Sequence, residues 1–331
     1  INMNKLTKIG LTALAGSLVA VSAHAGSMSV SGSASITLAD SDVDNTQATT
    51  AEGNLWTMGD SLTFSGGGEL DNGMTVSVKY EYDDDEADAN EGGTNGGFDS
   101  HSITLSSDEM GSITFAGHGG DGAMSAMDDK TPNAYEESWD AVKNADTQFV
   151  GGTSGDNMFT YKSPTISGAV LTIGYLPGGS KDDKTNTGGY ADFGITVKPE
   201  AVEGLEVAFA MGESEETAGT KVDEQAMYVK YTYGSITAGY QMNEADGPTS
   251  ATDVETTAFG ISYALTDDIT VAYNQASSDR ANATRDQDST GISASFTSGG
   301  ITVAGVMNSV DNVAYATTDA EGYEFNISFA F

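Results

Sequence analysis

The last ten residues, "GYEFNISFAF" (322–331), alternate: Tyr323, Phe325, Ile327, Phe329 and Phe331 are apolar, while Glu324, Asn326, Ser328 and Ala330 between them are polar or small. Side chains two apart share one face of a β-strand, so this segment has an apolar face and a polar face. In a soluble sandwich the apolar face would turn inward. In a membrane barrel it would turn outward.

The same alternation runs through the chain. Met28, Val30, Gly32, Ala34, Ile36 and Leu38 alternate with Ser29, Ser31, Ser33, Ser35 and Thr37. Leu62, Phe64, Gly66, Gly68 and Leu70 precede Asp71-Asn72-Gly73, a tight-turn signal, and Met74, Val76, Val78, Tyr80 and Tyr82 continue on the same parity. The pattern returns over 103–105, 113–117, 159–161, 171–175, 193–197, 205–211, 227–233, 236–242, 259–265, 269–273, 292–296 and 301–305, which with the closing segment makes sixteen candidate strands. An even number is the habit of bacterial outer-membrane barrels. The connections alternate as well, seven short and rich in turn formers, eight long and polar. Short turns on one rim and long loops on the other are the asymmetry of such barrels, and a soluble sandwich has no reason to sort its loops by parity.

Charge is missing where lipid would be. None of these outward-parity residues is Asp, Glu, Lys or Arg, although those types make up 19% of the chain. A cation at mid-bilayer costs about 2–4 kcal/mol in a barrel of this kind. The expected fold is therefore all-β: a transmembrane antiparallel up-and-down barrel of sixteen strands. His101 breaks the pattern by sharing parity with Ile103 and Leu105, which calls for a bulge there or a position above the bilayer.

Composition narrows the function classes. The chain has 331 residues, 13 Lys+Arg against 49 Asp+Glu, a formal charge of -36 and no cysteine. That balance excludes a nucleic-acid binder, which needs clustered cations, and the missing cysteines exclude disulfides and thiolate metal sites. From Met3, Lys5 and Lys8 precede a short apolar run ending in Ala23-His24-Ala25, the pattern of a secretory signal peptide cleaved before Gly26. Residues 1–25 are thus expected to be a signal peptide, with Ile1 and Asn2 upstream of it, and residues 26–331 a single barrel domain. No later apolar run approaches the roughly 20 residues of a spanning helix, which leaves a closed barrel as the only way across a bilayer.

With a signal peptide, sixteen amphipathic strands and a terminal Phe331, the chain resembles the general bacterial porins of the alphaproteobacterial, trimeric, sixteen-stranded type. The resemblance covers the mature chain from about Gly26 and rests on architecture and on the chain ends. It implies a water-filled outer-membrane channel for passive diffusion of ions and small hydrophilic solutes. It also implies a homotrimer in contact with outer-membrane lipid and lipopolysaccharide, and a role for Phe329 and Phe331 as the signal read by the barrel-insertion machinery. In that family the third long loop folds back into the lumen and narrows the pore. Here the third long connection, roughly 118–157, is the longest and falls between the fifth and sixth strands.

That connection carries Asp121, Asp128, Asp129, Glu136, Glu137 and Asp140 against Lys130 and Lys143, and "NAYEESWDAVKN" (133–144) could form a short helix presenting Glu136, Glu137 and Asp140 together. Inside a pore such a cluster attracts cations and repels anions. The family sets arginines on the wall opposite the acidic loop. This chain departs from it, because its only arginines, Arg280 and Arg285, sit in a late loop. By lumen parity the wall offers Lys79, Lys162, Lys230 and His118, with Glu81, Asp192, Glu206 and Glu324 as competing acids. The alternative for each lysine is a solvated residue without a special role.

Other acidic runs, "EYDDDEADANEGG" (81–93) and "GESEETAG" (212–219), are expected to face outside, where they could hold Ca²⁺ or Mg²⁺ loosely; no spacing matches a dedicated calcium loop. Outward Gly32, Ala34, Gly66, Gly68 and Gly117 leave shallow ground for a neighbouring barrel, or ease the curvature of the sheet. The histidines are His24, His101 and His118, and neither a nucleophile elbow nor a His-Asp partner set can be placed, so no catalytic residue or enzyme activity is expected. Two alternatives remain open: a structural or adhesive barrel with cation-binding loops, and a substrate-selective channel.

Overall fold

A computed structural model describes residues 27–41, 55–83, 98–128, 130–145, 152, 155–178, 188–217, 220–249 and 253–331. The expected signal peptide, Asp129 and most of the 81–93 acidic run lie outside these residues.

The strands are β1 (Ser27–Ser41), β2 (Leu55–Glu69), β3 (Thr75–Asp83), β4 (Ser100–Ser107), β5 (Gly111–His118), β6 (Met158–Lys162), β7 (Ala169–Leu176) and β8 (Tyr190–Val197). They continue as β9 (Leu205–Thr217), β10 (Thr220–Tyr233), β11 (Ile236–Asp246), β12 (Val254–Ala264), β13 (Ile269–Arg280), β14 (Gln287–Ser298), β15 (Ile301–Asp311) and β16 (Ala320–Ala330). Each pairs with its neighbours in the chain, and β1 pairs antiparallel with β16 to close the barrel. Closure leaves no free edge, which is what allows a sheet to stand in lipid.

The closing segment has the expected form. Ile36 lies opposite Ile327 and Leu38 opposite Phe325. Phe331 extends the seam by exchanging two backbone hydrogen bonds with Gly32, at 2.8 and 2.9 Å.

Parity sorts the side chains as the sequence predicts. On β14, Ile292 is 65% exposed while its neighbour Ser293 is 2% exposed, and on β15 Met307 is 70% exposed while Asn308 is 4% exposed. Outward aromatics of adjacent strands meet, as in Phe115 with Phe159, whose ring centroids are 4.8 Å apart. Among the described residues no helix is long and apolar enough to cross a membrane.

Three details differ from the sequence reading or complete it. First, several strands run past the last apolar outward residue on the long-loop side, and acids stand among the added outward positions. Glu213 stands on β9, Asp223 on β10, Glu244 on β11 and Glu255 on β12, whereas on β2 the outward Asp60 is followed toward that side by the apolar Met58 and Trp56. Asp223 faces both Glu213 and Asp246, and Glu255 faces both Glu244 and Asp279. Like charges placed so closely are tolerated only in water, which sets the edge of the hydrocarbon below them.

Second, the β4–β5 register shifts between His101 and Ser102, so the strand bulges there. The His101 ring lies parallel to that of Tyr80, 6.4 Å between centroids. Third, two of the outward glycines are not bare ground. The rings of Phe331 and His101 lie over Gly32 and Gly117, where a Cβ would collide with them.

Candidate functional site within the barrel

The inner wall from β8 to β16 is built largely of small and neutral polar residues, with Asp192, Glu206, Glu224, Lys230 and Glu324 among them, and most of it is buried. The burial comes from the β5–β6 connection. Its first part packs Ala123, Met124 and Met127 on Ala208, Ala210, Ala226 and Tyr228 of β9 and β10. Its later part packs Trp139 and Val142 on Ala258, Ala276, Val310 and Ala320, all inward-facing, and on Val313. Each pad removes apolar surface from water at about 25 cal/mol per Å².

Between and beside the pads the connection hands its backbone amides to the wall. Met124 N–H donates to Asp192 Oδ2 at 2.9 Å, and Lys130 N–H to Gln241 Oε1 at 3.0 Å. Ala134 N–H donates to Ser293 Oγ at 3.0 Å and Ala141 N–H to Asn308 Oδ1 at 2.8 Å. Lys143 N–H reaches Ser41 Oγ on β1 at 3.0 Å. In return, Gln241 Nε2 donates to Met127 O at 2.5 Å and Asn308 Nδ2 to Glu137 O at 3.0 Å. Buried backbone groups must be paired, and here wall side chains do it.

This corrects the helix expected over 133–144. Asn308 takes both the Ala141 N–H and the Glu137 carbonyl, the pair an α-helix would join, so the segment forms turns, closed by Val142 N–H to Trp139 O at 2.9 Å. A single-turn 3-10 helix forms instead at Ser125–Met127.

Glycines on the wall make room for this backbone. A Cβ on Gly260 would lie 2.5 Å from Pro132 O, and one on Gly322 would overlap Ala141 O.

The acids of the connection are only partly brought together. Glu136, Glu137 and Asp140 converge, each with a carboxylate oxygen within 4.8 Å of the others. Glu137 is buried, accepts from Asn133 Nδ2 at 3.1 Å, and donates its backbone N–H to Asp140 Oδ2 at 2.9 Å. Such an oxygen-only set suits a hard cation like Ca²⁺ in kind. Asp121 and Asp128 are exposed and stand apart from this cluster.

Tyr135 donates its hydroxyl to Glu324 on β16. Burial, and then this hydrogen bond, push the Tyr135 hydroxyl far above the ordinary phenol range, so it remains a donor at any physiological pH.

The wall residues named from sequence fall into different places. Lys79 Nζ sits 2.8 Å from Glu81 Oε2. Lys230 Nζ lies 3.8 Å from Glu206 Oε2, which Lys198 Nζ also approaches at 3.1 Å, while Tyr228 donates its hydroxyl to Glu206 Oε1 at 2.6 Å. Lys162 ends β6 at the short-turn rim, beside Met110 and Gly111. His118 Nδ1 is 2.5 Å from Asp156 Oδ1, across the neck of the connection. Asp192 and Glu324, named from sequence as acids competing with the wall lysines, accept hydrogen bonds from the connection, from Met124 N–H and the Tyr135 hydroxyl.

The sequence reading missed Gln241, Ser293 and Asn308. Their inward parity was visible, but nothing distinguishes them from the other polar residues of that face.

The family model of Gram-negative porins matches residues 10–296. The chain belongs to the Gram-negative porin family. As a member it is an outer-membrane channel for small solutes. No curated protein sequence matches it significantly. Among solved structures, the anion-selective porin of Comamonas acidovorans aligns with a TM-score of 0.68 at 15% identity, covering 92% of this chain and 100% of the other. A triple mutant of the porin of Rhodopseudomonas blastica aligns with a TM-score of 0.64 at 18% identity over the same shares. At such identity the likeness is one of fold.

Proposed function

We propose that this porin passes ions and small hydrophilic solutes by passive diffusion with a preference for cations, and that the β5–β6 connection lies in the lumen as the constriction. The observation behind this is the row of backbone hydrogen bonds from Met124 to Lys143 onto β8, β11, β14, β15 and β1, on a segment that carries Asp121, Asp128, Glu136, Glu137 and Asp140. A fixed cluster of carboxylates at a narrow point concentrates cations and repels anions. The wall lysines do little to oppose it, because Lys79 and Lys230 each have a carboxylate partner.

The homotrimer, export by residues 1–25, contact with lipopolysaccharide and reading of Phe329 and Phe331 by the insertion machinery belong to the same proposal and rest on family membership.

The test is a planar-bilayer recording under a salt gradient. The wild type is expected to give ohmic steps with a cation-side reversal potential. Replacing Asp128 and Asp129 by Asn and Glu136 and Glu137 by Gln together is expected to move that potential toward the anion side. An unchanged potential would remove the connection from the selectivity mechanism.

A further inference from the structure

The covering of the wall is one-sided. Many inward residues from β6 to β16, such as Thr160, Asp192, Gln241, Ser289 and Asn308, are buried, whereas none of the described inward side chains of β1 to β4 is. On the channel reading above, the path left for water and solute runs between the connection and the β1–β4 wall. That wall is hydroxyl-rich: Ser29, Ser31, Ser33 and Ser35 on β1, Ser61, Thr63 and Ser65 on β2, Ser102 and Thr104 on β4.

Lys79 stands in the middle of this open wall, its side chain 49% exposed. Its cross-strand neighbours are Ser65 and Ser102. Alone, it would be the positive pole facing the acidic connection. It is not alone, because Glu81 two residues on lies on the same face and holds Nζ at 2.8 Å. Glu81 is itself fixed by Ser61 Oγ at 3.1 Å and Ser100 Oγ at 3.0 Å, from the strands on either side, and its side chain is 25% exposed. A carboxylate gripped from three directions has little freedom to leave its lysine.

We infer that Glu81 is a specificity-determining residue: by cancelling Lys79 it keeps that cation from opposing the connection across the open wall, so the acids of the connection act on passing ions unopposed. This rests on the channel reading above. A close pair of opposite charges acts on an ion only as a dipole, whose field falls away faster than that of one charge, and salt with a Debye length of about 8–10 Å shortens it further.

The experiment compares reversal potentials of the full-length porin with those of Glu81→Gln, Lys79→Gln and the double variant, each checked for assembly. Glu81→Gln unmasks Lys79 and is expected to lower the cation-to-anion permeability ratio by about two- to threefold, the effect of one partly screened charge beside the ion path. Lys79→Gln is expected to raise the ratio by a similar factor, and the double variant to return it to the wild-type value. If Glu81→Gln does not assemble, Lys79→Gln with the double variant carries the same test. Single variants that conduct with wild-type selectivity would overturn the inference while leaving the channel reading intact. A wild type that inserts without conducting would overturn both.

Discussion

A lysine in place of Ile292 is expected to destabilise the folded barrel in lipid vesicles by about 2–4 kcal/mol, while a lysine in place of Ser33 should change it by no more than about 0.5 kcal/mol. Both positions lie near the middle of their strands, and they differ in the face they occupy. Ile292 is an outward residue of β14 with 65% of its surface exposed. Ser33 is an inward residue of β1 on the wall that the connection leaves uncovered. In lipid the first lysine must desolvate its ammonium group, and the second keeps its water. Denaturant unfolding in vesicles reads the difference. Equal costs at the two sites would mean that the apolar face does not meet hydrocarbon.

The second large effect concerns the connection. Gly322→Val places a side chain where Ala141 O now lies, and that obstacle is backbone, which cannot rotate away. The segment around Ala141 is pushed from the wall, and its N–H bond to Asn308 is lost. Losing one buried hydrogen bond of about 1–1.5 kcal/mol raises the population of the detached state about tenfold. Trypsin should then cut after Lys143 about tenfold faster than in the wild type, and conductance should become larger and noisier. Cleavage and conductance identical to wild type in an assembled barrel would show that the connection is not held at this point.

The division between what the sequence reveals and what it hides follows from range. Facing is a local property with a period of two residues, so Ile292, Met307 and Phe325 could be assigned to the outer face without knowing what lay beside them. Strand ends are less plain. β2 begins at Leu55 rather than near Leu62, and β9 runs on through Glu213, because hydrogen-bonded pairing continues past the apolar band into residues that read as loop.

The site is harder still. That the β5–β6 connection carries acids is visible in the chain, but its conformation is set by partners 68 to 171 residues away, such as Asp192 and Asn308. Asn308 on a distant strand took the Ala141 amide and the Glu137 carbonyl that a helix over 133–144 would have joined. Lys79 and Glu81 are two apart and share a face by the same period, so their pairing could have been read from sequence; the grip of Ser61 and Ser100 on Glu81 could not.

The chain's two tryptophans stand on opposite sides of the barrel wall and report on its facing. Trp56 is an outward residue of β2, 61% exposed, and Trp139 is in the connection, 6% exposed against the inner wall. In vesicles whose acyl chains are brominated near the headgroup, Trp56 fluorescence in the Trp139→Phe variant is expected to be strongly quenched. Trp139 fluorescence in the Trp56→Phe variant is expected to be unaffected. Quenching of Trp139, or none of Trp56, would contradict a barrel that turns its apolar face to lipid and keeps the connection inside.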